Sequence, residues 1–149
     1  MKLEDEIKQK KFKNEYHKII VNVMYTNNWL NTINNQFLKP HGLSAQQYNI
    51  LRILRGQYPK PVMVNLLIDR MLDKMSNASR LVEKLRQKGY VDRKVAEGDR
   101  RAVDVLITSK GLELLSYLDK EADLVAEKLK SISVTEAEEL NRILDKVRG

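Results

Sequence analysis

The sequence predicts a mainly helical chain that carries one small β-hairpin. Apolar residues recur at helical spacing over most of the 149 residues, and they alternate with polar residues only between residues 91 and 107. Apolar residues make up 42% of the chain, which is enough to form a core, and no repeat or long linker divides it. We therefore expect a single unit over residues 1–149.

The first predicted helix covers residues 4–38. Ile19, Val23, Leu30, Ile33 and Phe37 lie near one of its faces at helical spacing. An unbroken helix of this length is hard to bury within a small domain, because its rise carries it past the core. The apolar face is therefore expected to contact a partner.

Three shorter helices are predicted next. The first of them starts with the capping-box pattern of Ser44 and Gln47, and the second fits residues 64–71. The third fits residues 77–88 and ends at Gly89, a residue typical of helix C-termini. Its apolar stripe consists of Ala78, Leu81, Val82 and Leu85.

The period then changes to strict alternation. Residues 91–95 and 103–107 predict two strands, and the polar segment 96–101 between them contains Gly98. The result is a hairpin with a charged tip.

Two further helices complete the predicted chain. Thr108 caps a long helix that extends to Leu129, and Thr135 with Glu138 opens the last one. Three short helices followed by a hairpin is the element order of a winged helix-turn-helix domain, here residues 44–107. Long helices at 4–38 and 108–148 flank it.

Charge is distributed unevenly along the chain. The net charge is +7, and residues 44–107 alone carry 13 basic and 7 acidic residues, net +6. A basic central part is typical of a polyanion-binding protein, although a solvated basic surface gives the same count.

Several function classes are excluded or disfavoured by composition. The chain has no Cys, and its two histidines, His17 and His41, lack the spacing of metal ligands. We expect no metal, no cofactor and no enzymatic activity, since no catalytic motif is present. The charged N-terminus and the lack of a long apolar run predict a cytoplasmic protein without a membrane segment.

The outer face of the helix over residues 77–88 carries hydrogen-bonding and cationic side chains that suit a major groove. An ordinary amphipathic surface helix would show the same split. Arg100 and Arg101 at the hairpin tip, with Arg93 on its first strand, could enter a minor groove. Asp99 either forms the turn or orients one of these arginines, and the sequence leaves both interpretations open.

The run from Asp99 to Gly111 resembles the wing signature of MarR-family regulators. It reads Asp-Arg-Arg-Ala-Val-Asp-Val-Leu-Ile-Thr-Ser-Lys-Gly and matches every fixed position of that signature. The segment from Ser76 to Val82, followed by Leu85, Lys88 and Gly89, is similar to the recognition helix of that family. Two positions depart from the pattern, because Leu72 replaces the usual Gly of the turn and Met63 replaces a Ser or Thr cap.

The resemblance implies a homodimeric transcriptional regulator that binds a palindromic operator, with repression as the usual outcome. By position, it places in the major groove Ser76, Asn77, Ser79, Arg80 and Lys84. It implies that Arg101, with Arg100, enters the minor groove and that Asp99 orients the arginine, and Arg93 on the first strand is the remaining candidate contact of the wing to the minor groove or the phosphates. The terminal helices would form the dimer through Ile19, Val23, Leu140, Ile143, Leu144 and Val147.

A small aromatic or anionic effector is a further expectation from the resemblance. Its pocket could be lined by Tyr16, Tyr25, Trp29 and Tyr48, which are more commonly core or interface residues. Two alternatives to a specific regulator remain open: a winged-helix module that binds proteins, and a non-specific architectural DNA binder.

Overall fold

The computed structural model describes residues 1–149 and contains seven α-helices and a three-stranded antiparallel sheet. In chain order the elements are α1 (Leu3–Glu6), α2 (Glu15–Leu38), α3 (Ala45–Gln57), β1 (Val62–Met63), α4 (Val64–Arg70), α5 (Ala78–Gln87), β2 (Val91–Val95), β3 (Val103–Ile107), α6 (Ser109–Lys128) and α7 (Val134–Arg148). This confirms the predicted mainly helical class with one hairpin.

The N-terminal helix is shorter than predicted. The expected helix over residues 4–38 is interrupted between Glu6 and Glu15, and α2 begins after Asn14, whose side chain accepts the His17 N–H at 2.8 Å. The interrupting segment is rich in lysine, and Asn is a strong helix cap, so a helix start at Glu15 is favoured. The segment before it packs on α2, where Glu4 pairs with Lys18 at 2.5 Å and Tyr25 donates to Glu6 at 2.6 Å.

The structure confirms the predicted cap of α3 and contradicts the predicted cap of α7. At α3 the predicted capping box is formed, with the Gln47 N–H donating to Ser44 Oγ at 3.1 Å. At α7 the predicted cap was wrong, because Ser133 and Glu136 form the box. Residues 133–136 and 135–138 both match the pattern, and the earlier pair gives the longer helix.

The sheet has the order β1-β3-β2. In the predicted hairpin, Val91 faces Ile107 and Val95 faces Val103. The sequence did not predict β1, which pairs Val62 with Val105 and covers the outer edge of β3. Two residues are too few to show an alternating pattern.

One core holds α3, α4, α5 and α6 against the sheet. Its fully buried members come from each of these elements, and they include Leu51, Leu54, Leu67, Val82, Leu85, Val105, Leu115 and Leu118. An ion pair of Arg55 with Asp119, at 2.7 and 3.0 Å, joins α3 to α6. These contacts fix the orientation of α5 and leave its other face free.

The terminal helices keep apolar faces that the single chain does not cover. Ile19 and Val23 on α2 are about half exposed, and so are Leu140 and Ile143 on α7, while Val147 is 68% exposed. No helix of the structure combines the length and apolarity needed to cross a membrane.

Candidate nucleic-acid interface

Helix α5 presents its polar side outward, as the sequence predicted. Ala78, Val82 and Leu85 are buried, whereas Ser79, Arg80 and Lys84 are exposed. Asn77 caps the helix by accepting the Arg80 N–H at 3.1 Å, so its amide group remains available as a donor. The exposed side therefore offers hydroxyl, amide, guanidinium and ammonium donors.

Ser76 lies at the edge of this face, before the helix begins, and it is half-buried. Its Oγ is buried and makes no hydrogen bond in the structure. Ser76 precedes α5 in the turn after α4, where its backbone N–H donates to the Asp73 carbonyl at 3.3 Å. The Ser76 hydroxyl therefore does not point out to solvent, and the assignment of Ser76 to a groove-facing position stays a prediction.

The turn forms without the glycine that the family pattern would place there. No residue between α4 and α5 has a positive φ, so Leu72 meets no backbone strain. The Leu72 N–H donates to Asn49 Oδ1 at 2.9 Å, which ties the turn to α3. Asp73 accepts the Met75 N–H at 3.0 Å, and this hydrogen bond lowers the pKa of Asp73. Met63 precedes α4 without a side-chain cap, as predicted.

The hairpin loop exposes Arg100 and Arg101. Asp99 accepts the backbone N–H of Arg101 at 2.9 Å rather than a guanidinium N–H. Of the two interpretations of Asp99, the structure therefore shows the turn-forming one, and both guanidinium groups are left to other partners.

The helix and the loop share one surface. Ser79 of α5, Arg93 of β2 and Arg101 of the loop line the same cavity of about 100 Å³. On the other side of α5, Asn77, Arg80 and Lys84 line an open depression of about 460 Å³ against the start of α3. The predicted groove residues thus line two depressions along α5: Ser79 lines the one that continues into the wing, and Ser76 lines the other with Asn77, Arg80 and Lys84.

Glu83 is a charged residue within this surface that the sequence argument left without a role. Its carboxylate pairs with Arg86 at 2.8 Å and with Arg93 at 3.1 Å. These two guanidinium groups, Arg86 foremost, lower the pKa of Glu83 to about 2. The i,i+3 spacing predicts the Glu83–Arg86 pair. The Arg93 pair depends on how β2 packs beside α5, which spacing does not show.

The four aromatic residues expected to line a ligand pocket do not share one. Tyr16 is 80% exposed, whereas Tyr25 and Trp29 line a cavity of about 180 Å³ under the N-terminal segment. Tyr48 instead packs edge-on against Phe37 at 5.9 Å between ring centroids.

A larger cavity lies between α2 and α6. Its volume is about 390 Å³, and its lining includes Phe37, His41, Tyr117, Glu121 and Lys128. Sequence reasoning missed it because its walls come from residues about 80 positions apart, and only their packing brings them together. No group of three or more His, Asp or Glu side chains in the structure could hold a metal ion.

Three short helices, a polar outward-facing third helix and an arginine-tipped hairpin define a winged helix-turn-helix protein. Residues 41–102 match the model of the MarR family. The regulator MhqR of Bacillus subtilis is 32% identical over 106 residues, which cover 71% of this chain and 70% of that protein. The chain belongs to the MarR family of transcriptional regulators.

Other relatives extend this comparison. The transcriptional repressor MprA of Escherichia coli K12 is 25% identical over 114 residues, covering 76% of this chain and 65% of that protein, so the match spans about two thirds of its length. A MarR transcription factor structure from Planctomyces limnophilus is 29% identical and covers 91% of this chain and 98% of its own, with a TM-score of 0.70. The S. aureus MepR–DNA complex has the same fold, with 20% identity, a TM-score of 0.78 and coverage of 92% and 97%.

Proposed function

We propose that this protein is a sequence-specific regulator that binds double-stranded DNA as a homodimer and represses transcription. The observation that carries the proposal is the joint surface of α5 and the wing, where Ser79 and Arg101 line one cavity. A helix with exposed donors beside an arginine-tipped hairpin matches adjacent grooves of a duplex. The MepR structure, a DNA complex of the same fold, supports it.

The two parts of this surface would have different roles. Asn77, Ser79, Arg80 and Lys84 would face base edges or phosphates of the major groove, because the N-terminal residues of such a helix reach the bases. Arg100 and Arg101 would enter the minor groove, whose negative potential favours guanidinium groups. Arg93, held by Glu83, would act mainly by positioning the wing.

The homodimer would form through the apolar faces of the terminal helices. These faces include side chains that are 41–68% exposed in the single chain, and their burial on a second copy would be favourable. Two copies related by a two-fold axis would place two α5 helices about one helical turn of DNA apart. The operator would then be an inverted repeat.

A small aromatic anion would suit the cavity between α2 and α6. Phe37 and Tyr117 offer aromatic surfaces, and Lys128 offers a cation that must also offset the carboxylate of Glu121 in the same lining. Helix α6 also carries Asp119, which pairs with Arg55 on α3. A molecule bound in the cavity would therefore be able to shift the DNA-binding part relative to α6. The protein would act in the cytoplasm, where it meets chromosomal DNA.

Selection of bound duplexes from a random pool, followed by titration at several salt concentrations, tests the proposal. We expect one enriched inverted repeat, tighter binding to it than to scrambled DNA, and a steep loss of affinity with salt. Equal binding to all sequences would indicate an architectural DNA binder instead. Binding to no duplex even at low salt would indicate a protein-interaction module.

A further inference from the structure

Two large apolar side chains are almost fully exposed in the turn between α4 and α5. Leu72 is 90% exposed and Met75 is 92% exposed. The core does not require either side chain, because Met71 and Ala78 on the two sides of the turn are buried and anchor it. We call Leu72 and Met75 the apolar tip.

The backbone beneath the apolar tip is held in place. The Leu72 N–H donates to Asn49 Oδ1 at 2.9 Å, and the Met75 N–H donates to Asp73 Oδ1 at 3.0 Å. Lys74, between them, donates through its ammonium group to the Asp69 carbonyl. These hydrogen bonds constrain the directions in which both apolar side chains leave the backbone.

The apolar tip lies directly before the N-terminal end of α5, which is the end proposed to face the groove. Met75 lies two residues before Asn77, the N-cap of α5. Exposed charges of both signs lie close to the tip in the chain: the cations Arg70 and Lys74, the carboxylates Asp69 and Asp73, and Arg80 on the first turn of α5. Exposed apolar side chains directly before the N-terminal end of α5 suit the major groove, where each A·T pair displays a thymine methyl group.

We propose that the apolar tip contacts thymine methyl groups in the major groove and thereby helps to select the operator. This inference rests on the proposed function. Packing one thymine methyl group against an apolar side chain removes the methyl group from water, which should raise the affinity about fourfold. The contact would add to the polar contacts of Asn77 and Arg80, which read other atoms of the base edges.

Replacement of single operator thymines by deoxyuridine tests the proposal, because it removes the methyl group and leaves base pairing intact. With the wild-type protein and the selected duplex, we expect a loss of about fourfold at one or two positions of each half-site. Met75→Gln and Leu72→Gln should each bind the thymine duplex more weakly and lose the difference between thymine and deoxyuridine at one of these positions. Lys84→Gln is the matched control, since it should weaken binding to both duplexes alike.

The outcomes separate this proposal from the proposed function. If the wild type binds the selected duplex and no deoxyuridine substitution changes its affinity, the apolar tip does not read methyl groups, while DNA binding stands. If both glutamine variants keep the wild-type thymine preference, the proposal is also overturned. A lower mass of either variant in sedimentation would make the tip a contact between chains and overturn it too. If one variant does not fold, the other glutamine variant still tests the assignment to the tip, and a wild-type series without any deoxyuridine effect overturns the proposal by itself.

Discussion

Arg80 lies on a helix and Arg101 lies in a hairpin loop, so replacement of the two side chains should affect DNA binding differently. Arg80 is exposed on α5 beside Asn77, whereas Arg101 lies in the loop of the hairpin. Arg101→Ala should weaken binding to all sequences and reduce the salt slope by about 1, because it removes an interaction with phosphates or groove potential. Arg80→Ala should cost about 1–3 kcal/mol and relax the preference at one position of each half-site.

Fluorescence anisotropy with the operator and with single-base variants, at several salt concentrations, measures both effects. An Arg101→Ala variant with unchanged operator affinity would show that the wing does not contact DNA as described.

Glu83 should remain ionised across the whole physiological range. Its pKa of about 2 in the folded chain lies below the ordinary value of 4.5, because Arg86 and Arg93 stabilise the carboxylate. Because folding lowers this pKa, the ionised carboxylate stabilises the folded protein at pH values above about 4.5. This stabilisation is lost as the pH falls from about 4.5 towards 2. The difference in Tm between wild type and Glu83→Gln should thus be constant from about pH 8 to pH 5 and should shrink at lower pH.

Thermal unfolding monitored by circular dichroism at a series of pH values tests this. Glu97→Gln, in the exposed hairpin loop, serves as the control for loss of a carboxylate. A Glu83 effect that varies between about pH 6 and pH 8 would be inconsistent with the ion pairs described here.

At the scale of elements, the junction of β3 and α6 tolerates only glycine at position 111. A Cβ on Gly111 would lie 2.4 Å from the Tyr90 carbonyl oxygen and 2.7 Å from Ile107 Cγ1. Gly111→Ala should therefore destabilise the protein by about 1–3 kcal/mol through overpacking.

Gly56→Ala is the matched control. A Cβ on Gly56 would meet no atom within 4 Å, and alanine is favoured over glycine in a helix such as α3 by about 0.5–1 kcal/mol. Urea denaturation of both variants measures the two effects. Equal stabilities of Gly111→Ala and the wild type would contradict the close packing of α6 on Tyr90.

An element can be predicted from the sequence when the residues that cause it are neighbours in the chain. The caps at Ser44 and Thr108, the stripe of α5 and the alternation of β2 and β3 are local patterns, and the structure confirms them. The strand β1 exists only because β3 pairs with it, and no local pattern predicts it. The N-terminal break depends on the cap formed by Asn14, and the apolar spacing that predicts the first helix comes only from residues after it, beginning at Ile19.

The candidate site also contains features that neighbouring residues determine and features that depend on packing between distant segments. The exposed residues of α5 and the loop arginines were predictable, because helical projection and turn chemistry are local. The pair of Glu83 with Arg93 and the cavity between α2 and α6 depend on packing between distant segments. The burial of the Ser76 hydroxyl was not predictable from the helical pattern, because Ser76 lies before the cap Asn77 and outside the helix.

At the scale of the whole molecule, the apolar face of α7 should hold two chains together. Ile143→Glu would place a charge among Leu140, Leu144 and Val147, and burying it on a partner would be costly. We expect this variant to elute as a single chain in gel filtration and to bind the operator at least about tenfold more weakly, since half of the contacts are lost. Asn141→Glu, which lies off that face on the same helix, should behave like the wild type. Identical elution of Ile143→Glu and the wild type would remove α7 from the interface.

Sedimentation equilibrium of the wild-type protein, alone and with an operator duplex, measures whether two chains associate and bind one duplex together. We expect the mass of two chains for the free protein and of two chains plus one duplex for the complex. A free protein with the mass of one chain, or a complex of one chain per duplex, would contradict this expectation.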